Sequence, residues 1–567
     1  MTRTLTSRSR LDTLRKEAKR WINALRAGEA QALQRLRKTH PAAPKEPGLR
    51  DIQHALALEY GQASWTALKE KLAEMAFASA TADSRVDEFL VEACLHYGVK
   101  PGTGTWNHQY VDHPSRWDYA ARILARHPSI ATHSLYTAVV AGNLDEVKRR
   151  LATRPAAAAE KGGPMQWEPL FYLCFGRLPI AAVRKNSVEI ARALLDAGAN
   201  PDARLDKDMS LFPPLTAAIG GGEFAQPPHA QAFELADLLI ERGADPWNPQ
   251  ALYNTALGSD DTIWPDFLYA QSAKRNETSK WTAFSPTWPE TGIMDWLLSH
   301  AVGSNSVVRA RWALARGANP ATPHFYSKRN LHTEAVLNGF SEMAALLVEY
   351  GAKPETLSGH DEFQAACLRG DRAAAQALAA RHPEFLRFPA PLFKAAEQDR
   401  IDVAKLLLDL GMSPDVTGHH NTRPLHRAAA SDSVAVGKLL IERGAEIDPV
   451  ETYQNGVPLG WSIYAGKGVL AETLARVSRH TPILVHMGNV ARLRELFDAD
   501  PALARETYNG ASLLFYLPND ETRAVEVAEL LLSYGVDRHA RDAEGSTAAA
   551  HAEKLGFDVL ADVLSRE

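Results

Sequence analysis

The chain has 567 residues, 45% hydrophobic and 23% charged, with a formal net charge of −5. That is too long for one ordinary core, so several domains or a repeat array growing in one dimension is expected. The composition argues against long disorder, and the mild negative charge gives the chain as a whole no electrostatic reason to seek nucleic acid. The three cysteines, Cys94, Cys174 and Cys367, lack CxxC spacing, which argues against a disulfide framework or a structural zinc site and fits a reducing compartment. No apolar run approaches the roughly 18 residues of a membrane span; the best stretch, Leu170 to Val183, is broken by Gly176, Arg177 and Pro179. MTRTLTSRSR leads into a charged helix rather than an apolar signal core, so no membrane contact and a cytoplasmic location are expected.

Residues 1–80 read as a helical leader. LDTLRKEAKRWINALRAG sets Leu11, Leu14, Ala18, Trp21, Ile22 and Leu25 on one helical face, and Gly28 ends it. AQALQRLRKTHP gives a second helix with a proline stop, and GLRDIQHALALEYGQASWTALKEKL two more, broken at Gly61. The first 50 residues carry 13 Lys or Arg against four Asp or Glu. Without interleaved aromatics, this excess reads as the solvated face of amphipathic helices rather than a nucleic-acid contact. Residues 81–130 form a helical connector, VDEFLVEACLHYG and DYAARILARHPSI, around a polar loop with His108 and His113.

From 131 to 567 one layout recurs: a turn, a short helix, a second helix, and often a Gly-Ala stop. SLYTAVVAGNLDEVKRRL opens the series, followed by SVEIARALLDAGANPD, FELADLLIERGADPWN, VVRARWALARGANP, MAALLVEYGAKP and EFQAACLRGDRAAAQAL. The clearest units are APLFKAAEQDRIDVAKLLLDLGMSPD and NTRPLHRAAASDSVAVGKLLIERGAEIDP, whose stop glycines Gly411 and Gly444 lie 33 residues apart. TPILVHMGNVARLRELF and VEVAELLLSYGVDRHARDAEGS close the series. Pro424 suits the first position of a helix. Ala428 and Ala429 let paired helices approach, while Val436, Leu439 and Leu440 recur at helical spacing. Gly444 stands where a left-handed residue ends a helix.

This period and layout resemble the ankyrin repeat. The resemblance covers about three quarters of the chain and implies an all-α solenoid of helix-turn-helix repeats with short hairpin loops, preceded by an N-terminal helical cap. It further implies a concave face, a row of hairpin tips, and another protein as partner. The leader is similar to that of a group of bacterial ankyrin-repeat proteins, with the expected role of capping the first repeat or covering its apolar face.

Departures from the period suggest sites. Leu170 to Ala199 and Leu215 to Ala244 each span 29 residues where regular units span 20, with additions at GRLPIAAVRKN and GGGEFAQPPHAQ. Gly243 and Gly317 lie 74 residues apart, bracketing an irregular aromatic-rich insertion at about 250–325 with Trp264, Trp281, Trp288, Trp296 and Trp312. It reads either as a ligand site or as a plug where repeat packing is interrupted.

Motif chemistry is sparse. No HExxH or GxSxG pattern occurs, and GWSIYAGKG fails as a phosphate loop on spacing and on the residue after Lys467. Asp260, Asp261 and Asp266 read as turn or capping residues rather than metal ligands, and neither metal nor cofactor is expected. The reading is a non-catalytic scaffold contacting a partner protein through His419, His420, Asn421, Tyr453, Gln454, Asn455, Tyr508 and Asn509. The alternative is an enzyme or small-molecule binder. Its pocket would lie between the concave face and the insertion, with walls from Trp167, Tyr172, Tyr253 and Trp264 and acid-base groups from Asp260, Asp261, His324 and His332.

Overall fold

The computed structural model describes residues 3, 5, 11–45, 47–69, 71–72, 82–100, 105–106, 112–205, 212–223, 225–257, 260–285, 289–466, 468–555 and 557–565. His108, Trp288 and Lys467 lie outside them. The chain divides into two compact units, Ala80–Thr356 and a second made of Met1–Ser79 with Leu357–Glu567. Both are dominated by helix pairs, and the fold is an all-α ankyrin solenoid.

In Leu357–Glu567 the pairs run Gly359–Leu368 with Arg372–Arg381, Ala390–Glu397 with Ile401–Asp409, and Pro424–Ser431 with Val434–Glu442. Pro458–Tyr464 with Val469–Val477 and Thr481–Met487 with Val490–Ala499 continue the stack. Proline leads Pro424–Ser431 and Pro458–Tyr464, where its missing N–H costs no helical bond. Gly411 and Gly444 take φ of +96° and +83°, a conformation that penalises a Cβ. Leu425, Ala428, Val436, Leu440, Leu459 and Leu470 join one continuous core.

Units without a Gly-Ala stop end differently. Pro155–Ala159, Pro383–Arg387 and Pro501–Arg505 are proline-led 3-10 turns. The residue before each proline closes the preceding helix: Arg154 N–H donates to Arg150 O, His382 to Leu378 O, and Asp500 to Leu496 O. Proline cannot extend the helix, so the turn replaces glycine as the stop.

The leader has its own small core of Leu14, Trp21, Ile22, Leu36, Ile52 and Leu56, within helices Leu11–Arg26, Ala30–Thr39 and Leu49–Glu59. Its polar face is paired with the end of the same unit. Arg15 Nε lies 2.6 Å from Asp558, Lys19 Nζ 2.9 Å from Glu553, and Arg26 Nη2 3.1 Å from Asp562. Every residue from Asp558 to Leu564 is buried, so helix Asp558–Ser565 is covered on all sides. Sequence reading named the first repeat as the leader's neighbour; within its own unit, these ion pairs tie it to the last helix pair. Local periodicity gives the basic face but not the acidic face it meets.

In Ala80–Thr356, residues 250–325 contain two helix pairs, Pro249–Ala256 with Ile263–Lys274 and Ile293–Gly303 with Val307–Leu314. The short helices stack in order, Pro214–Ile219, Pro249–Ala256, Ile293–Gly303 and Leu331–Leu337, so the stack continues through the stretch that sequence spacing marked as irregular. Trp281, Trp296 and Trp312 are buried. Trp281 Nε1 donates to Ser272 Oγ at 2.8 Å and Trp312 Nε1 to Asp266 at 2.7 Å, which satisfies both indoles inside the packing.

Candidate functional site

The eight residues expected to meet a partner stand on three inter-repeat loops of the Leu357–Glu567 array, the first two in successive repeats and the third beyond the short connection at 478–480. The imidazoles of His419 and His420 lie 3.9 Å apart, and the His420 ring lies 5.3 Å from that of Tyr453, which is 73% exposed. Hydrogen bonds to main-chain carbonyls link the tips. Thr452 N–H donates to His420 O at 2.8 Å, and Asn421 Nδ2 donates to Val450 O at 2.7 Å. Tyr508 OH donates to Asn455 O at 3.2 Å, and its ring packs 4.8 Å from His480. Asn509 and Gly510, at φ +49° and +76°, form the two-residue turn between the short strands Thr507–Tyr508 and Ala511–Ser512.

A buried carboxylate shapes the middle tip. Glu451 is 1% exposed and accepts main-chain N–H bonds from Tyr453, Gln454 and Gly456 at 2.6, 2.9 and 2.9 Å. Burial pushes its carboxyl up, but these donors and nearby His426 outweigh it and hold it below the usual range. His426 is fully buried. Its Nδ1 accepts from Arg423 N–H at 3.1 Å, and burial lowers it to about 4. Sequence reading passed over Glu451; its only signal is an acid shortly before Asn455-Gly456, where a loop needs acceptors for its free N–H groups. Also missed were Tyr464, 90% exposed on an inner helix, and Arg427, whose guanidinium lies 5.3 and 5.9 Å from the Phe393 and Trp461 rings. These tips display imidazole, phenol and amide groups on an ordered backbone, an arrangement suited to recognition.

The residues of the alternative reading belong to Ala80–Thr356, and all but His332, whose Nδ1 is buried without a hydrogen-bond partner, have side chains engaged locally. Asp260 accepts from Ser306 Oγ, and Asp261 accepts from Ile263 N–H at 2.9 Å at a helix start; both are exposed. Asp266 accepts from Trp312, Arg316 and Thr262. His324 Nδ1 accepts from Ser327 N–H at 3.2 Å, and burial lowers its pKa; burial also lowers that of His332. Trp167 and Tyr172 rings lie 5.5 Å apart, with Tyr172 OH donating to Gly162 O at 2.9 Å. Elsewhere Tyr253 packs 5.7 Å from Trp296, while Trp264 stacks on Phe233 at 4.1 Å. The described ring contacts thus place the four expected wall residues in three separate aromatic groups. Among the described residues, no group of three His, Cys, Asp or Glu side chains could hold a metal ion.

Two hollows stand out. A shallow one of about 820 Å³ in the leader is lined by Arg3, Glu17, Arg35 and Glu59, whose charges already pair with one another. A cleft of about 430 Å³ in Ala80–Thr356 lies among Glu290, Asp295, Trp296, Pro323, Phe325 and Lys328.

The fold is that of an ankyrin-repeat solenoid. Its chain matches the family model "Ankyrin repeats (3 copies)" over residues 363–450 and "Ankyrin repeat" over residues 178–205, one match in each unit. A comparison with curated proteins gives no match. Ankyrin repeats are a protein–protein interaction module, and no described helix is long and apolar enough to cross a membrane.

Proposed function

We propose that this chain is a non-catalytic interaction scaffold whose Leu357–Glu567 array receives a partner protein on its hairpin tips and the adjoining inner helices. The observation that carries this reading is the tip row itself: His420, Tyr453 and Tyr508 stand on inter-repeat loops linked by hydrogen bonds to main-chain carbonyls. A rigid, half-exposed aromatic loses little entropy when a partner covers it, which is why tyrosine is enriched among binding hot spots. The buried free thiols of Cys94, Cys174 and Cys367 suit a cytoplasmic location, and the leader's likeness favours a bacterial one.

The test is proximity cross-linking from position 453 in the native cell, followed by binding of the purified cross-linked protein. A triple variant His420→Ala, Tyr453→Ala, Tyr508→Ala should weaken that binding at least about 30-fold, roughly 2 kcal/mol. An unchanged Kd in a folded triple variant sinks the reading.

A further inference from the structure

We propose that the cleft among Asp295, Glu290 and Phe325 binds an organic cation, an alkylammonium or guanidinium group on an aliphatic stem. The cleft holds about 430 Å³, within the range of roughly 300–1,000 Å³ common for ligand sites. Trp296, Phe325 and Pro323 supply apolar wall, and Asp295 and Glu290 supply negative charge.

Asp295 sits in the first turn of helix Ile293–Gly303, and its Oδ1 accepts Asn319 N–H at 2.7 Å. Burial pushes the carboxyl up, opposed by that N–H alone, with no cation contributing. Among the described residues neither Asp295 nor Glu290 has an ion-pair partner within 4.0 Å. Lys328 also lines the cleft, but its ammonium lies over the Phe325 ring at 5.0 Å. A desolvated carboxylate without a counter-charge is costly, and a ligand cation offsets that cost. The Phe325 face, already attractive to the Lys328 ammonium, favours the same sign of charge.

The lining also discriminates. An anion meets two carboxylates, and a purely apolar ligand leaves Asp295 uncompensated. Two carboxylates with only the neutral hydroxyls of Thr291, Ser299 and Thr322 beside them, and the Lys328 ammonium in the same lining, are a poor set for a hard divalent ion, which takes six or more oxygens. A lysine or arginine side chain and a free diamine share the required chemistry.

The experiment is calorimetric titration of the full chain with Nα-acetyl-arginine methylamide, Nα-acetyl-lysine methylamide, its Nε-acetylated form, and agmatine. The expected result is millimolar binding of the charged probes, none of the Nε-acetylated one, and at least about tenfold weakening in Asp295→Asn. Lys328→Glu, at an exposed position, should tighten binding several-fold and decides the matter even if Asp295→Asn folds poorly. Tighter binding of the capped amino acids than of agmatine identifies a polypeptide side chain as the natural occupant; the reverse order identifies a free amine. No binding of any charged probe, or affinities unchanged in a folded Asp295→Asn and in Lys328→Glu, overturns the proposal.

Discussion

The guanidinium of Arg177 donates to the main-chain carbonyl of Ala217 across 2.7 Å, linking two repeats of the Ala80–Thr356 unit. It also holds the carbonyls of Cys174 and Gly176, each at 2.8 Å, and that of Pro227 at 2.8 Å. Burial lowers this arginine to about 10, and four carbonyls substitute for its water. The segments it joins are those lengthened beyond the regular repeat, so one side chain satisfies carbonyls that the extra residues take out of helix. Arg177→Met, similar in volume and without donors, should cost at least about 3 kcal/mol in denaturant unfolding, because several buried acceptors lose their bonds at once. A loss below about 1 kcal/mol would mean that water reaches those carbonyls.

Glu451 is the corresponding device at the tips. Glu451→Gln keeps the shape and removes the charge from a set of three N–H bonds. The expected loss is about 2 kcal/mol of local stability, read as faster hydrogen exchange at Tyr453, Gln454 and Gly456. Unchanged exchange at these amides would show that the hairpin is held by its turn residues alone.

Acid should weaken the Leu357–Glu567 array in two stages. His426 titrates near 6.5 when unfolded and near 4 when folded, so between these values the unfolded chain binds the extra proton. Stability therefore falls as pH drops below about 6.5, by up to about 1.4 kcal/mol per pH unit. Glu451, depressed in the fold, adds its loss only when pH falls below its unfolded value of about 4.5. Urea unfolding at pH 7.5, 5.5 and 4.5 checks the sign, and His426→Gln should flatten the first stage.

Docking of the leader depends on charge. Arg15→Glu sets two acids together at the buried Asp558 and should loosen the leader by about 1 kcal/mol, read as cleavage within residues 1–80 by a dilute protease. The swap Arg15→Glu with Asp558→Arg should recover most of the loss. Equal cleavage of the single and swapped variants would show that Asp558 is not the residue Arg15 needs.

Much of the fold was legible because the repeat is local. Gly411 and Gly444 fall at helix ends, Pro424 opens a helix, and Leu425, Val436 and Leu440 face the core, all within one 33-residue period. The tips were legible in part: residues following a glycine-stopped helix pair lie in a connection, which placed His419 and Tyr453, whereas Glu451 acts by folding back under its own loop. The 250–325 stretch read as irregular because long loops separate two ordinary helix pairs, and Trp281, Trp296 and Trp312 serve as core. Arg177, the Asp295 cleft and the leader's acidic neighbours were not legible, since each joins residues that share no period.

The leader's attachment also sets an order of events in synthesis. Arg26 and Asp562 are 536 residues apart in the chain. A ribosome adding about 5–20 residues per second takes roughly half a minute to two minutes to make that interval. Throughout it the leader's basic helix face is outside the ribosome with its acidic counterpart not yet made, open to chaperones, nucleic acid or any acidic surface nearby. A nascent chain stalled before Asp558 keeps that face uncovered, a mark by which an unfinished molecule differs from a finished one.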